Sequence, residues 1–222
     1  MFDLWLDLLY PPACPLCRVR ISRANDTVCS DCERAFPRIR EPRSLRYELS
    51  LDAAFDAAVS PFAYTGSAVS AVRAFKYHHR SSLGRWMGER MTEQVKRALP
   101  IEAVDAVVPV PSHWMKRWMR DGAPAHDLGK FVARRLDKPF LPGALRQKRW
   151  HRSQTKLSRE QRLRNVAASL EANEPIVRGR RVLLVDDVLT TGATASACAQ
   201  ALKQAGAGSV YVLTAARTPK LG

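Results

Sequence analysis

Val182-Leu-Leu-Val-Asp-Asp-Val-Leu-Thr-Thr-Gly-Ala-Thr194 runs directly into the Ala-rich stretch Ala195-Ser-Ala-Cys-Ala-Gln-Ala-Leu202. Its first four residues are apolar, as in a parallel strand covered on both faces. The pattern predicts a strand ending at Asp186-Asp187, a turn through Thr190-Thr191-Gly192-Ala193-Thr194, and a helix that stops at Gly206. Backbone N–H groups at a helix start lack partners and sit at the positive dipole end, so an anion there gains hydrogen bonds and field together. Gly192 lets the backbone approach the bound group closely. The hydroxyls of Thr190, Thr191 and Thr194 add donors, while the carboxylates of Asp186 and Asp187 suit sugar hydroxyls or hydrated Mg²⁺. A helix N-cap with favourable acids would explain Asp-Asp alone, but not the whole string. The ligand implied is a sugar phosphate.

Working outward, Val104 to Val110 and Val210 to Leu213 are further short apolar runs bounded by turn residues. Helical spacing recurs at Val69, Val72 and Phe75, at Met87, Met91, Val95 and Leu99, and at Leu128, Phe131, Val132 and Leu136. Strands alternating with helices imply an α/β fold with a parallel sheet flanked by helices. Phe55 to Tyr64 begins that unit, after a polar, Arg-rich connector. The expected division is residues 1–54 as an N-terminal helix and cysteine module, and 55–222 as the α/β domain. Cys198 lies on the apolar face of its helix, as a small core residue.

Four of the five cysteines form Cys14-Pro-Leu-Cys17 and Cys29-Ser-Asp-Cys32, with eleven residues between them. Each C-x2-C turn aims two thiolates at one point, and two turns complete the tetrahedral set of a structural zinc. No coordination position stays open for catalysis. The alternatives are two disulfides or a redox pair. Neither an export signal nor the strand-helix setting of a thioredoxin-like site supports them. Met1 to Tyr10 carries Asp3 and Asp7 and lacks a basic leader, so it reads as a short amphipathic docking helix. No stretch approaches the roughly 20 apolar residues of a membrane helix, and the expected location is cytoplasmic.

The formal net charge is +15, which favours nucleic acid, phosphorylated metabolites or an anionic membrane surface as partners. The charge is regional. Trp114 to Arg164 holds 15 Lys and Arg against Asp121, Asp127, Asp137 and Glu160, a net of +11. Trp114, Trp118 and Trp150 fall inside this span, and interleaved cations and aromatics are what single-stranded nucleic acid uses. The residues singled out for that contact are Lys116, Arg117, Arg120, Arg149, Trp150 and Arg152. A solvated basic face, with Trp114 and Trp118 as an i, i+4 core stripe, is the competing reading.

The segment Val182 to Thr194 resembles the phosphoribosyl pyrophosphate (PRPP) signature of type I phosphoribosyltransferases. With the paired knuckles, the chain from about residue 10 onward resembles the ComF family, competence-associated proteins that join a zinc ribbon to a phosphoribosyltransferase-like domain. Phe75-Lys-Tyr77, Val108-Pro-Val-Pro111, Gln154-Thr-Lys-Leu157 and Arg164-Asn-Val166 extend the match. The resemblance implies that Asp186 and Asp187 bind ribose hydroxyls, that Thr190, Thr191, Gly192, Ala193 and Thr194 bind the 5′-phosphate, and that Mg²⁺ accompanies PRPP. It sets the pyrophosphate loop at Pro111, Ser112 and His113. Where the family often shows Arg-Gly-Phe-Asn-Gln, this chain has Arg120-Asp-Gly-Ala-Pro-Ala125, which keeps the Arg and loses both amides.

Two functions follow from this. One is a ComF-type protein that binds PRPP and single-stranded DNA in DNA uptake or processing, with a competence helicase or the uptake machinery as partner. The other is an active phosphoribosyltransferase that joins a base or amine to ribose and releases pyrophosphate. A zinc-dependent scaffold with a vestigial cradle is a third reading, which the intact string from Asp186 to Thr194 disfavours.

Overall fold

The computed structural model describes residues 12–21, 27–39, 53–78, 81–111, 123–147 and 169–219. In chain order these form helix α1 (Ser30–Ala35), strands β1 (Ala57–Val59) and β2 (Phe62–Ala63), helices α2 (Gly66–His78) and α3 (Ser81–Ala98) and strand β3 (Ala106–Pro109). Helix α4 (Pro124–Leu136), strands β4 (Leu145–Gln147) and β5 (Leu170–Ala172) and the short helix α5 (Glu174–Val177) follow. Strand β6 (Arg181–Leu189), helix α6 (Ala193–Gln204) and strand β7 (Ser209–Arg217) complete the order.

The sheet is parallel, in the order β1-β7-β6-β3, with β2 also on β7. β1 and β2 keep one register along β7, Val59 opposite Leu213 and Phe62 opposite Ala216. They are parted at Ser60-Pro61, where proline supplies no N–H for the ladder. β4 and β5 form a separate antiparallel pair.

Val182, Leu183, Leu184 and Val185 are all fully buried, which requires cover on both faces of β6. Val182 and Leu184 pack with Val210 and Val212 against Cys198, Ala199 and Leu202 of α6. Leu183, Val185 and Leu213 share the opposite cluster with Val72, Met87, Met91, Leu128 and Val132 of α2, α3 and α4. The three helical stripes expected from spacing are therefore one layer. Two ion pairs clamp the entry edge of the sheet. Arg181 makes a forked contact to Asp105 at 2.8 and 3.0 Å, holding that carboxyl well below its ordinary range. Lys203 and the Val210 N–H both donate to Asp56 at 2.8 Å. The exit edge is left for the turn that β6 enters.

One expectation is corrected here. β6 does not end at Asp186-Asp187 but runs to Leu189, because its pairing with β7 continues through Asp186–Thr214, Val188–Ala216 and Leu189–Arg217. The acids sit within a paired strand.

The cysteine module is joined to the sheet by packing and by backbone. Phe36, at the end of α1, lies 4.5 Å from Phe62 and 4.7 Å from Trp86, and these two rings stack at 5.1 Å. The Ala63 N–H donates to Pro37 O at 2.7 Å, and the Ile39 N–H donates to Pro61 O at 2.8 Å.

Helix α3 approaches its neighbours closely through glycines. A Cβ on Gly84 would lie 2.5 Å from Cε2 of Phe75, a buried ring. Gly84→Ala should therefore lower stability by about 1–3 kcal/mol through overpacking, read as a shifted urea midpoint with an unchanged slope.

Candidate functional site

The site forms where β6 leaves the sheet. Strand alternation sends Asp186 to the face of Val182 and Leu184, and Asp187 to the face of Leu183 and Val185. On its face Asp187 meets α2, where Lys76 Nζ lies 2.6 Å from Oδ2. Asp187 is 8% exposed, so this pair is held largely away from water. The stretch Phe75-Lys-Tyr77 thus divides its work: Phe75 joins the core, Lys76 neutralises Asp187, and Tyr77 is exposed.

Asp186 has no such cation among the described residues. Burial and the neighbouring Asp187 charge raise its carboxyl to about 8, while the Asp187 N–H, donating to Oδ1 at 2.8 Å, and the Lys76 charge pull the other way. Its register partner is Thr214, which is fully buried and pairs with Ser60 at 2.7 Å between hydroxyls. Thr214 donates its own proton to Ala216 O at 3.0 Å, so Ser60 is the donor between the two. Burial and the Asp186 charge push the Cys198 thiol up, keeping it a protonated core residue as expected.

Thr190, Thr191 and Thr194 are exposed around the turn. Gly192 has φ +77°, the left-handed region where a side chain would be strained, and its carbonyl accepts from the Ser196 N–H at 2.8 Å. Helix α6 starts there with no side-chain cap and no acid in its first turn. Apart from a long 3.4 Å bond from the Ala193 N–H to Thr191 Oγ1, its positive end is left for an external anion. Next to β6, the Val110 N–H donates to Val185 O at 2.8 Å and carries β3 out to Pro111. Ser112, His113, Lys116, Arg117, Arg120, Arg149, Trp150 and Arg152 lie outside the described residues, as do Met1 to Tyr10, Trp114 and Trp118.

The second centre is the cysteine cluster. The Sγ atoms of Cys14, Cys17, Cys29 and Cys32 all lie within 4.8 Å of one another, with Cys17 and Cys29 at 3.5 Å. A zinc with Zn–S bonds of about 2.3 Å needs sulfurs roughly 3.8 Å apart, so the set fits. Arg18, at φ +66°, closes the first knuckle, with its N–H on Cys14 O and the Cys14 N–H on Val19 O. Cys29 caps α1, and its Sγ accepts from the Cys32 N–H at 3.5 Å. Burial raises the Cys14 thiol, but N–H groups of Cys29, Cys17 and Leu16 outweigh it and bring it to about 7. Burial and the three neighbouring sulfurs push Cys32 up. Four such thiolates share one space only with a cation among them, and structural zinc supplies it.

Sequence reading missed the pairing of Lys76 with Asp187 and the Ser60–Thr214 hydroxyls. Lys76 was visible as part of a matching stretch. Ser60 and Thr214 lie 154 residues apart and carry no local signal.

The raised Asp186 carboxyl has a consequence for stability. The folded chain keeps a proton there that the unfolded chain has already lost above the ordinary Asp range. The stability this gives at low pH is therefore lost as pH rises toward 8. Asp186→Asn should flatten the fall in unfolding free energy between pH 5 and 8 by on the order of 2 kcal/mol relative to the unsubstituted protein. Urea unfolding of both at the two pH values checks this, since acid effects on the cysteine centre are common to both.

Comparison with known proteins bears on both centres. Residues 125–221 match the model of the phosphoribosyl transferase domain, and residues 5–51 match that of the double zinc ribbon domain. The chain is 27% identical over 220 residues to competence protein F of Haemophilus influenzae, covering 92% of this chain and 96% of that protein. It is 28% identical over 229 residues to DNA utilization protein YhgH of Salmonella typhimurium, covering 95% and 99%. Amidophosphoribosyltransferase of Escherichia coli matches over 130 residues at 28% identity, 59% of this chain and 24% of that enzyme. Among the described residues no helix is long and apolar enough to cross a membrane. The two domain models match in this order, a double zinc ribbon before a phosphoribosyl transferase domain, and relatives named competence protein F and DNA utilization protein YhgH align with the chain along nearly its whole length, so the chain is similar to these proteins in both centres.

Proposed function

We propose that this chain binds PRPP or a related phosphoribosyl ligand together with Mg²⁺, binds single-stranded DNA, and acts in the cytoplasm in DNA uptake or utilization. The carrying observation is the exit of β6: two carboxylates in different environments, followed by exposed threonines, Gly192 and an uncapped helix start. The 5′-phosphate would take the N–H groups and hydroxyls of Thr190 to Thr194. Ribose hydroxyls would donate to Asp186 and Asp187. Hard oxygen donors suit Mg²⁺, and bound there the ion would offset diphosphate charge. Pro111, Ser112 and His113 would face the diphosphate. In this reading residues 1–54 are the zinc module and 55–222 the phosphoribosyl unit.

The DNA half of the proposal rests on the names of the relatives and on the net +11 between Trp114 and Arg164. Lys116, Arg117, Arg120, Arg149 and Arg152 would neutralise phosphates, with Trp150 stacking on a base. A competence helicase or the uptake apparatus would be the protein partner. Transfer of phosphoribose to a base or amine is the second reading, favoured by the intact acids and glycine at the end of β6.

Thermal unfolding of the zinc-loaded protein in Mg²⁺, with and without PRPP, tests the cradle. PRPP should raise the melting temperature, and Asp186→Asn with Asp187→Asn should abolish the shift. A full shift in that double variant rules the cradle out, and release of pyrophosphate would select the transferase reading. Titration with single-stranded DNA at several salt concentrations tests the other half. Arg149→Ala with Arg152→Ala should lower the slope of log K against log salt by roughly 1.4, about 0.7 for each phosphate no longer neutralised.

A further inference from the structure

Between the cysteine module and α3 lies a cavity of about 280 Å³. It is separate from the exit of β6. Arg38 lines it from the module, Phe62 from the sheet edge, and Arg90, Glu93, Gln94 and Arg97 from α3. The four α3 residues follow the i, i+3, i+4, i+7 spacing of one helix face.

Acceptors are in short supply here. Glu33 Oε1 accepts from Arg38 at 2.7 Å and from Arg90 at 2.6 Å. Both oxygens of Glu93 accept from Arg90, at 2.8 and 2.9 Å. With both carboxylates so engaged, three donor groups are left over. Arg97 has no carboxylate partner among the described residues and is exposed. Gln94 is only 8% exposed, and its amide makes no hydrogen bond among the described residues. Arg90 Nε is buried without a partner among the described residues. The nearby charges, Arg38, Arg90 and Arg97 against Glu33 and Glu93, leave one positive charge uncompensated. The floor is rigid, because Phe62 is fixed between Phe36 and Trp86.

An unpartnered amide on a largely buried residue and a free guanidinium facing one cavity call for an anion with several acceptor oxygens. The volume falls just short of the roughly 300–1,000 Å³ that encloses a whole drug-sized ligand. It suits a phosphate group with part of its sugar, the remainder staying outside. We propose that this cavity takes the phosphate of a nucleotide, in a single strand or free, on Arg97, Arg38 and the Gln94 amide. Arg38 reaches it from a segment that begins a few residues after Cys32, and Glu33, next to Cys32, holds Arg38 and Arg90 in place. The segment that leaves the cysteine module therefore contributes one wall of the site, Arg38 and Ile39.

The test uses the full zinc-loaded chain, with (dT)15 and dTMP as probes and PRPP added to occupy the other site. Arg97→Glu, on an exposed position, and Gln94→Ala are compared with the unsubstituted protein by titration calorimetry and by fluorescence anisotropy at several salt concentrations. Arg97→Glu should weaken binding at least about tenfold, and should reduce the (dT)15 salt slope by roughly 0.7 or more. Gln94→Ala should weaken binding without changing that slope. Weaker binding of both probes, or of (dT)15 alone, assigns the cavity to a strand phosphate, and weaker binding of dTMP alone assigns it to a free nucleotide. Unchanged binding of both probes in both variants, or no binding of either probe to the unsubstituted chain, overturns the proposal. Its failure is distinct from that of the cradle, which is read from the PRPP-induced thermal shift, and from that of the basic span, which is read from Arg149→Ala with Arg152→Ala.

Discussion

Cover on both faces of β6 is the constraint from which the site follows. A strand buried on two sides keeps its ladder to the end, and period-two alternation then forces adjacent acids apart. Asp187 goes to the side of α2 and finds Lys76. Asp186 goes to the side of α6, where its surroundings are apolar residues, the Cys198 thiol and the end of the Ser60–Thr214 hydroxyl row. One acid is paired, and the other holds its proton until near pH 8. Two neighbouring residues of the same type thus differ in charge because of the geometry of a strand. A ligand that brings hydroxyl donors, or a divalent cation, stabilises the ionised Asp186 that the bare protein disfavours.

The zinc module is bound to this arrangement through few residues. Phe36 fills the gap between Phe62 and Trp86, and β2, which begins at Phe62, ends only three residues before α2. α2 delivers Lys76 to Asp187. A metal that fixes Cys29 and Cys32 also fixes α1, and with it Phe36 and Glu33. Zinc in such short segments supplies folding free energy outright. Here that energy stabilises a surface of the α/β unit as well as the knuckles themselves.

What could be read from the sequence was whatever is encoded locally. The string from Val182 to Thr194 specified strand, turn and helix because hydrophobic run, glycine and Ala-rich period are all contiguous. Four cysteines at fixed spacing specified their own cluster, since each knuckle is a local turn. The strand end was misplaced by two residues because Asp186-Asp187 interrupts an apolar run, whereas the pairing that carries the strand onward depends on β7, some 28 residues later. Tertiary partners left no such trace. Lys76 and Asp187 are 111 residues apart in the chain, and nothing around either names the other. The polar face of α3 was hidden for a different reason. Met87, Met91 and Val95 mark a helix with a buried stripe, and nothing in the spacing of Arg90, Gln94 and Arg97 shows that they share a cavity with Arg38.

The departure after Arg120 gains a structural meaning from helix α4. Aligned from that Arg, the family's Asn and Gln fall on Ala123 and Pro124, and these are the cap and first residue of α4. Ala123 makes no side-chain capping bond, so the capping energy an Asn there provides, about 1 kcal/mol, is absent. Pro124 offsets part of that loss, because its fixed φ suits the first helical position and its missing N–H was an orphan in any case. The replacement therefore preserves where α4 begins while removing two polar side chains from that end of it. α4 packs on β6 through Leu128 and Val132, so a stable start to α4 keeps the exit of β6 in position. Substitutions that keep the scaffold and delete polar groups beside it leave the Asp186–Thr194 cradle intact. If those amides contact pyrophosphate or a nucleophile in the proteins this chain resembles, their loss removes partners of the displacement reaction and none of the cradle's own residues. This asymmetry is why ligand binding stands ahead of transfer in the reading of this chain.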